Sequence, residues 1–247
     1  MGINVLITAG GTAEAIDRVR FITNFGTGKL GCLVAERLTE YDNVDKIFHV
    51  HSRGAYRPVS DKVVDVQIES AEDLAEVAEK LAKTEKIDAV VHSMAVSDYR
   101  VKSVTTMGTV FEMAQEAADE EHLTEQLAEV DARKLYTKIP SNLGAPVLIL
   151  ERTPKIIPMF RELLPEAMIM GFKLLDSVSE EHLIDVAYEL LKKNRCDYVL
   201  ANDYATVSAG VHKGYLLNAQ REYSSYVGKE DIAVAIAKVI AEKKLPE

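Results

Sequence analysis

Short runs of apolar, often β-branched residues alternate along the chain with longer segments in which apolar residues recur every three or four positions. The short runs predict strands over residues 3–8, 46–51, 63–68, 89–93, 147–150, 168–172 and 198–201. The longer segments predict helices over residues 28–40, 71–83, 155–164, 180–194 and 229–243. Alternating strands and helices with buried strands predict an α/β fold, a Rossmann-like doubly wound and mostly parallel sheet.

Two segments depart from this alternation. Residues 97–142 contain no convincing strand, and their middle, residues 111–130, is rich in Ala and Glu and predicts an amphipathic helix. A connection this long is typical of a lid or a partner-contact arm, or of a solvated insertion. Residues 214–217 and 222–227 predict a C-terminal hairpin. We expect one domain over residues 1–247, with residues 97–142 as a flap or dimerisation insertion.

Composition limits the classes of function. The net charge of −10 argues against binding to nucleic acid or an anionic membrane, and no apolar run is long enough for a membrane span. The two cysteines, Cys32 and Cys196, make neither a disulfide framework nor a metal cluster, so we expect a reducing, cytoplasmic location. His49 and His51 share one strand face, but no third ligand at suggestive spacing accompanies them, which favours packing over zinc.

Two glycine-rich stretches lie close together near the N terminus. The first follows the first predicted strand directly, and the second comes immediately before the first predicted helix. Backbone N–H groups at the carboxyl edge of a sheet and at a helix N-terminus favour phosphate binding. The nucleotide-binding candidates in these stretches are Gly10, Gly11, Thr12, Gly26, Thr27, Gly28 and Lys29.

The second stretch also matches a dinucleotide fingerprint, Gly26-x-Gly28-x-x-Gly31. In that fingerprint a strand comes directly before the first glycine, whereas the first predicted strand of this chain ends near residue 8. Arg53 follows the second predicted strand and suits a 2′-phosphate. An NADP-dependent reductase therefore stays open as one alternative. A non-catalytic nucleotide-binding module is the other.

Four polar residues are candidates for chemistry. Asn24 is either a turn residue or an amide donor to a developing oxyanion, and Arg20 could contact a carboxylate or phosphate. Asp98 follows a buried strand, where it could cap a turn or reach Mg²⁺ or a ribose hydroxyl. Lys138, in the long insertion, is either solvated or closes over a triphosphate.

Together these motifs resemble the phosphopantothenoylcysteine synthetases, the phosphopantothenate–cysteine ligases of coenzyme A biosynthesis. The resemblance rests on Thr8-Ala9-Gly10-Gly11-Thr12 and above all on Arg20-Phe21-Ile22-Thr23-Asn24-Phe25-Gly26-Thr27-Gly28-Lys29. Further matches follow in order at residues 94–100, 138–139, 171–173, 193–194 and 201–203, so that nearly the whole chain is covered.

The resemblance implies an activity and an assignment of residues. The substrates would be 4′-phosphopantothenate and cysteine, with CTP or ATP as co-substrate and Mg²⁺ as cofactor. The intermediate would be an acyl-nucleotide, with an acyl-cytidylate as the expected form. Asn24, Arg20 and the flap residue Lys138 would be catalytic, and Asp98 would also approach the metal with the nucleotide. The nucleotide would contact His92, Ser93, Met94, Asp98, Phe172 and Lys193.

The resemblance also implies a homodimer, and it leaves two points open. The family is often fused to a decarboxylase, whereas this chain starts at the synthetase strand and is expected to be a free-standing bacterial form. Glu189 stands where the family often has a nucleotide-contacting lysine, so the choice between CTP and ATP stays open.

Overall fold

The computed structural model describes residues 2–129, 139, 144–208 and 210–243. Its strands are β1 (Ile3–Ala9), β2 (Ala13–Ala15), β3 (Phe21–Thr23), β4 (Val44–Ser52), β5 (Val63–Ile68), β6 (Ala89–His92), β7 (Tyr99–Thr106), β8 (Pro146–Arg152), β9 (Met168–Leu175), β10 (Tyr198–Asp203), β11 (Lys213–Asn218) and β12 (Tyr223–Val227). Its helices are α1 (Lys29–Thr39), α2 (Ala71–Thr84), α3 (Met107–Glu116), α4 (Glu120–Glu129), α5 (Ile156–Leu163), α6 (Glu180–Asn194), α7 (Tyr204–Ser208) and α8 (Lys229–Ala241).

The central sheet has eight strands in the order β12-β11-β10-β9-β6-β1-β4-β5. All neighbours from β10 to β5 are parallel, and only β11 runs antiparallel to its two neighbours. The chain passes from β1 to β4 and β5 on one side and then returns to β6 on the other side. This arrangement confirms the predicted doubly wound, mostly parallel sheet and the predicted C-terminal hairpin, and it opens a crevice between the carboxyl ends of β1 and β6.

Helices cover both faces of this sheet. On one face α2, α5 and α6 bury apolar side chains around Phe160, which is fully buried. On the other face α1 and α8 pack through residues such as Leu38 and Ile236. Helix α2 begins with a capping box between Ser70 and Asp73, which satisfies two backbone N–H groups at its start. The two cores hold the strand ends that form the crevice.

The region after β6 corrects the sequence-based expectation. Residues 97–142 were expected to contain no strand, yet β7 lies there and pairs antiparallel with β8 in a separate two-stranded sheet. The strand expected at residues 147–150 therefore exists as β8 but lies outside the central sheet. In β7 the polar residues Ser103 and Thr105 are buried beside Val101 and Val104. The sequence of this strand therefore lacks the continuous apolar run by which a core strand is recognised.

The helix expected over residues 111–130 is divided into α3 and α4. Ala117, the residue after α3, has extended backbone angles, and the Asp119 carboxylate accepts the N–H of His122 at 2.8 Å as a cap of α4. Helix α3 has no buried residue. A short hairpin of β2 and β3 between the two glycine stretches was also not predicted.

In the described part of the chain, every helix is either too short or too polar to cross a membrane.

Candidate functional site

At the crevice between β1 and β6, backbone hydrogen bonds join the two chain segments that follow these strands. The Ala95 N–H donates to the Gly10 carbonyl at 2.9 Å, and the Thr12 N–H donates to the Ala95 carbonyl at 3.1 Å. Below them, the hydroxyl of Thr8 is hydrogen-bonded to Nδ1 of His92 at 2.8 Å and accepts the Met94 N–H at 3.3 Å. The loops that follow the two strands are therefore held together as one unit.

The glycines allow the two glycine-rich stretches to contact each other through their backbones. A Cβ atom on Gly26 would lie 2.6 Å from the Gly10 carbonyl oxygen, and one on Gly11 would lie 2.2 Å from the Asn24 carbonyl oxygen. Gly28 has a φ of 68° and is the N-cap of α1. The Gly11 N–H already donates to Ser52 Oγ at 3.1 Å. These glycines are required for close packing, in addition to any role toward a phosphate.

Two clefts adjoin the crevice. The first, which we name the α6 cleft, has a volume of about 720 Å³ and lies between the end of β6 and helices α5 and α6. The second, the glycine-loop cleft, has a volume of about 640 Å³ and lies beside α1. They share a wall formed by Met94, Phe172, Lys173 and Leu174. Two ligands bound in these clefts would therefore lie next to each other.

Most of the residues selected from the sequence line one of the clefts. The α6 cleft contains His92, Met94, Asp98, Phe172 and Lys193. The glycine-loop cleft contains Gly10, Gly26, Thr27, Gly28, Lys29, Ser93, Met94 and Phe172. Thr12 lies behind the clefts, where it is buried and its hydroxyl accepts the Ser97 N–H at 2.9 Å. Gly11, Arg20 and Asn24 do not line either cleft, and Lys138 lies outside the described residues.

The charged groups of the α6 cleft are paired in part. Nζ of Lys155 lies 2.5 Å from Oδ1 of Asp98, and Glu189 contacts Lys192 at 2.6 Å. Lys155 was not selected from the sequence, although it directly precedes α5 in Thr153-Pro154-Lys155. Its contact with Asp98 joins residues that are distant in the sequence, so the spacing gave no signal for it.

His92 is a neutral group in this cleft. Burial lowers the pKa of His92 from 6.5 to about 4. Its ring also meets the edge of Phe160 at a centroid distance of 5.4 Å. At neutral pH this imidazole can form hydrogen bonds to a ligand but adds no positive charge next to a phosphate.

Arg20 is held by a buried carboxylate, Asp17, which no sequence motif indicates. Asp17 accepts the N–H groups of Val19 and Arg20, each at 2.9 Å, and that of Ile139 at 3.0 Å. The Arg20 guanidinium lies 3.1 Å from the same carboxylate. The Ile139 hydrogen bond is the largest cause of the lowered pKa of Asp17. Asp17 therefore ties the loop before β3 to the residue that follows Lys138.

Asn24 is exposed, and its side-chain amide donates to the Val96 carbonyl at 3.0 Å. This contact places the amide beside the loop that leads from Met94 to Asp98. An amide nitrogen has two hydrogens, so the second remains available to a ligand. Asn24 thus lies at the crevice, although it does not line a cleft.

Comparisons with known proteins identify a family for this chain. Residues 1–109 match the family model described as "DNA/pantothenate metabolism flavoprotein C-terminal domain". The bifunctional coenzyme A biosynthesis protein CoaBC of Thermococcus kodakarensis is 33% identical over 202 residues, which are 81% of this chain and 41% of that protein. The chain thus spans less than half of the length of this curated relative.

Several solved structures cover nearly the whole chain. The DNA/pantothenate metabolism flavoprotein from Streptococcus pneumoniae is 32% identical, with a TM-score of 0.82 over 97% of this chain and 98% of that one. The C-terminal domain of a CoaBC bifunctional protein is 25% identical, with a TM-score of 0.68 over 98% of this chain and 95% of that one. From its fold, its crevice and these matches, the chain belongs to the DNA/pantothenate metabolism flavoprotein C-terminal domain family.

Proposed function

We propose that this protein joins 4′-phosphopantothenate to cysteine in coenzyme A biosynthesis, with a nucleoside triphosphate as co-substrate. The observation that carries the proposal is the pair of clefts that meet at Met94 and Phe172, beside the ends of β1 and β6. A reaction that first joins an acid to a nucleotide needs two binding sites with a shared boundary. The similarity to bifunctional coenzyme A biosynthesis proteins supports this pathway.

The proposed chemistry has two steps. A carboxylate oxygen of 4′-phosphopantothenate attacks the α-phosphorus of the nucleotide, and pyrophosphate leaves. The cysteine amine then attacks the acyl carbon, the nucleoside monophosphate leaves, and the amide forms with loss of a proton. Negative charge is redistributed over oxygen atoms in both steps, so fixed cations and hydrogen-bond donors are the main catalytic requirement.

We assign the base and ribose of the nucleotide to the α6 cleft. His92, Met94 and Phe172 offer a neutral and partly apolar wall for a base, and Asp98 offers a carboxylate to a ribose hydroxyl. Lys193, in the last turn of α6, offers a positive charge to the phosphates. CTP is the nucleotide we propose. ATP is the competing choice, because Glu189 lines this cleft at the position where the family often has a nucleotide-contacting lysine.

We assign the phosphates to the side of the cleft that faces the glycine loops. Gly10, Gly26, Thr27 and Gly28 supply closely packed backbone there, with Ser93 at the end of β6, and Lys29 adds a positive charge over the ring of Tyr56. Gly11 and Thr12 act from behind as the support of this wall.

The 4′-phosphopantothenate carboxylate is assigned to the crevice beside Asn24 and Arg20. Asn24 would donate to the acyl-nucleotide through its free amide hydrogen. Arg20, which is held by its ion pair with Asp17, would contribute positive charge. Lys138 would close over the intermediate.

Mg²⁺ fits this site as an ion carried by the nucleotide. Among the described residues of the α6 cleft, Asp98 offers one carboxylate oxygen beyond the one that contacts Lys155. Mg²⁺ commonly takes one or two carboxylates together with substrate phosphates. When bound, it would supply positive charge to the leaving pyrophosphate.

We further propose that residues 97–142 combine a flap with a dimerisation arm in a single-domain protein. Helix α3 exposes 56% of Met107 and 63% of Phe111, and it has no buried residue. Exposed apolar side chains on a projecting helix favour pairing with a second copy of the chain. Light scattering after size exclusion should give the mass of a dimer, and a Phe111→Glu variant should shift it toward the monomer.

The ligase proposal is tested by pyrophosphate release. The protein is incubated with 4′-phosphopantothenate, cysteine and Mg²⁺, with CTP in one sample and ATP in another. Release that depends on 4′-phosphopantothenate supports the ligase, and the faster sample identifies the nucleotide. No release in either sample contradicts it, and an NADPH titration would then distinguish the reductase from a module that binds nucleotide without turnover.

A further inference from the structure

A cluster of two histidines and one aspartate lies on the face of the sheet that packs against α1. His49 and His51 are on β4, and Asp65 is opposite His49 in the register of β5. The two histidines are 0% and 1% exposed. One ligand atom from each of the three residues can be chosen so that all lie within 4.8 Å of one another.

The hydrogen bonding of His49 is incomplete. Both ring nitrogens of this buried side chain have no hydrogen-bond partner among the described residues. A buried polar group without a partner costs about 1–3 kcal/mol. The neighbouring His51 ring is stacked on His49 at a centroid distance of 5.4 Å and offers it no donor or acceptor.

His51 has the orientation of a metal ligand. Its Nδ1 lies 3.0 Å from the Ser52 carbonyl, which can only accept, so Nδ1 carries the hydrogen. Its Nε2 lies 3.0 Å from Oδ1 of Asp65, without hydrogen-bond geometry. Histidines that bind metals usually donate their other ring N–H to a carbonyl or carboxylate, as His51 does.

We propose that His49, His51 and Asp65 bind a divalent transition-metal ion, for which Zn²⁺ is the best fit. Two imidazoles and one carboxylate with an open fourth position are a common zinc donor set. Tetrahedral ligands at about 2.0–2.1 Å from the ion lie about 3.3 Å apart, so side-chain shifts of the order of 1 Å are enough to form the site. The sequence lacked this signal because Asp65 reaches the histidines only through the pairing of β4 with β5.

The proposed ion would stabilise the edge of the sheet and the start of the crevice. It would join the edge strand β5 to β4. Through His51 it would also fix Ser52, whose hydroxyl accepts the Gly11 N–H at 3.1 Å. The site is separate from the Mg²⁺ of the proposed function and does not depend on that function.

Arg57 places a positive charge next to the proposed site, and this charge would repel the ion. One of its guanidinium nitrogens lies 3.6 Å from Oδ2 of Asp65, which leaves Oδ1 for the metal. Replacing it, as Arg57→Gln, removes a cation close to the site. We expect this variant to bind Zn²⁺ more tightly than the wild type.

The test is a Zn²⁺ titration of tag-free, chelator-treated protein against a colorimetric zinc indicator, in buffer with excess Mg²⁺. We expect one Zn²⁺ per chain with micromolar or tighter affinity, and binding at least about tenfold weaker in His49→Gln and Asp65→Asn. His182→Gln is the matched control, since His182 is exposed on α6 outside the cluster, and it should bind as the wild type does.

Asp65→Asn decides the test if His49→Gln does not fold, because the Asp65 side chain is 46% exposed and its replacement is isosteric. The thermal midpoint of the wild type should rise with Zn²⁺, and that of Asp65→Asn should rise less. The proposal is overturned if the wild type binds no Zn²⁺ at micromolar concentrations. It is equally overturned if Asp65→Asn binds as tightly as His182→Gln.

Discussion

Replacing Gly26 with alanine would separate the two glycine-rich stretches. The new Cβ atom would lie 2.6 Å from the carbonyl oxygen and 2.8 Å from the carbonyl carbon of Gly10. Both are backbone atoms at the end of the buried strand β1, and they cannot move away by a change of rotamer. Relief therefore requires one stretch to move as a whole.

The size of the effect follows from this contact. Favourable C···O separations are about 3.3–3.6 Å, so the stretches must separate by about 0.7 Å. Overpacking of this kind costs about 1–3 kcal/mol of unfolding free energy, and each kcal/mol lowers the Tm by about 2–4 °C at this chain length. A displacement approaching 1 Å at a site that positions two substrates can reduce kcat/KM by about 10²-fold.

The assay measures unfolding in urea and the rate of pyrophosphate release for the Gly26→Ala variant. Gly108→Ala in α3 is the stability control, because its Cβ atom would meet only Thr106 Oγ1 at 3.6 Å. The control should keep or raise the unfolding free energy, by up to about 1 kcal/mol. If Gly26→Ala is as stable and as active as the wild type, the Gly26 and Gly10 backbones are not in close contact.

Three further predictions address the site. Asn24→Asp should lower the unfolding free energy by only about 1 kcal/mol, through loss of the exposed hydrogen bond to the Val96 carbonyl, but strongly reduce amide formation; full activity would remove Asn24 from its proposed role. Lys138→Gln should slow pyrophosphate release without changing the Tm, and a large fall in Tm would instead identify a structural lysine. His92 has a pKa of about 4 in the folded protein against an ordinary 6.5, so the unfolded chain takes up its proton first as the pH falls through this range. From pH 7 to pH 5 the wild type should therefore lose about 2 kcal/mol more unfolding free energy than His92→Gln, and equal losses would contradict the buried neutral imidazole.

The sequence predicted the elements whose local pattern agrees with their final environment. The strand before Gly10 is continuous and apolar because β1 is buried on both faces. In the helix after Gly28, apolar residues recur every three or four positions because one side of α1 packs against the core. The strand β7 was missed because Ser103 and Thr105 occupy its buried positions beside Val104. Local hydrophobic pattern cannot reveal that β8 pairs with this strand instead of joining the central sheet.

The candidate site was predictable only where a motif is contiguous. The glycine stretches and the strand end at Met94 stand out in the sequence, and the structure brings them together. Asp17, Lys155 and Asp65 were missed because each acts on partners that are distant in the chain, namely Ile139, Asp98 and the β4 histidines. Such contacts depend on the tertiary fold, which no single segment of sequence encodes.

The most direct test of the proposed reaction follows an oxygen atom. 4′-Phosphopantothenate labelled with ¹⁸O in its carboxylate is incubated with the protein, cysteine, Mg²⁺ and the preferred nucleotide, and the products are analysed by mass spectrometry. Attack of the carboxylate on the α-phosphorus predicts one ¹⁸O in the nucleoside monophosphate, none in pyrophosphate, and formation of 4′-phosphopantothenoylcysteine. Label in orthophosphate, or amide formation without label in the monophosphate, would contradict the acyl-nucleotide route.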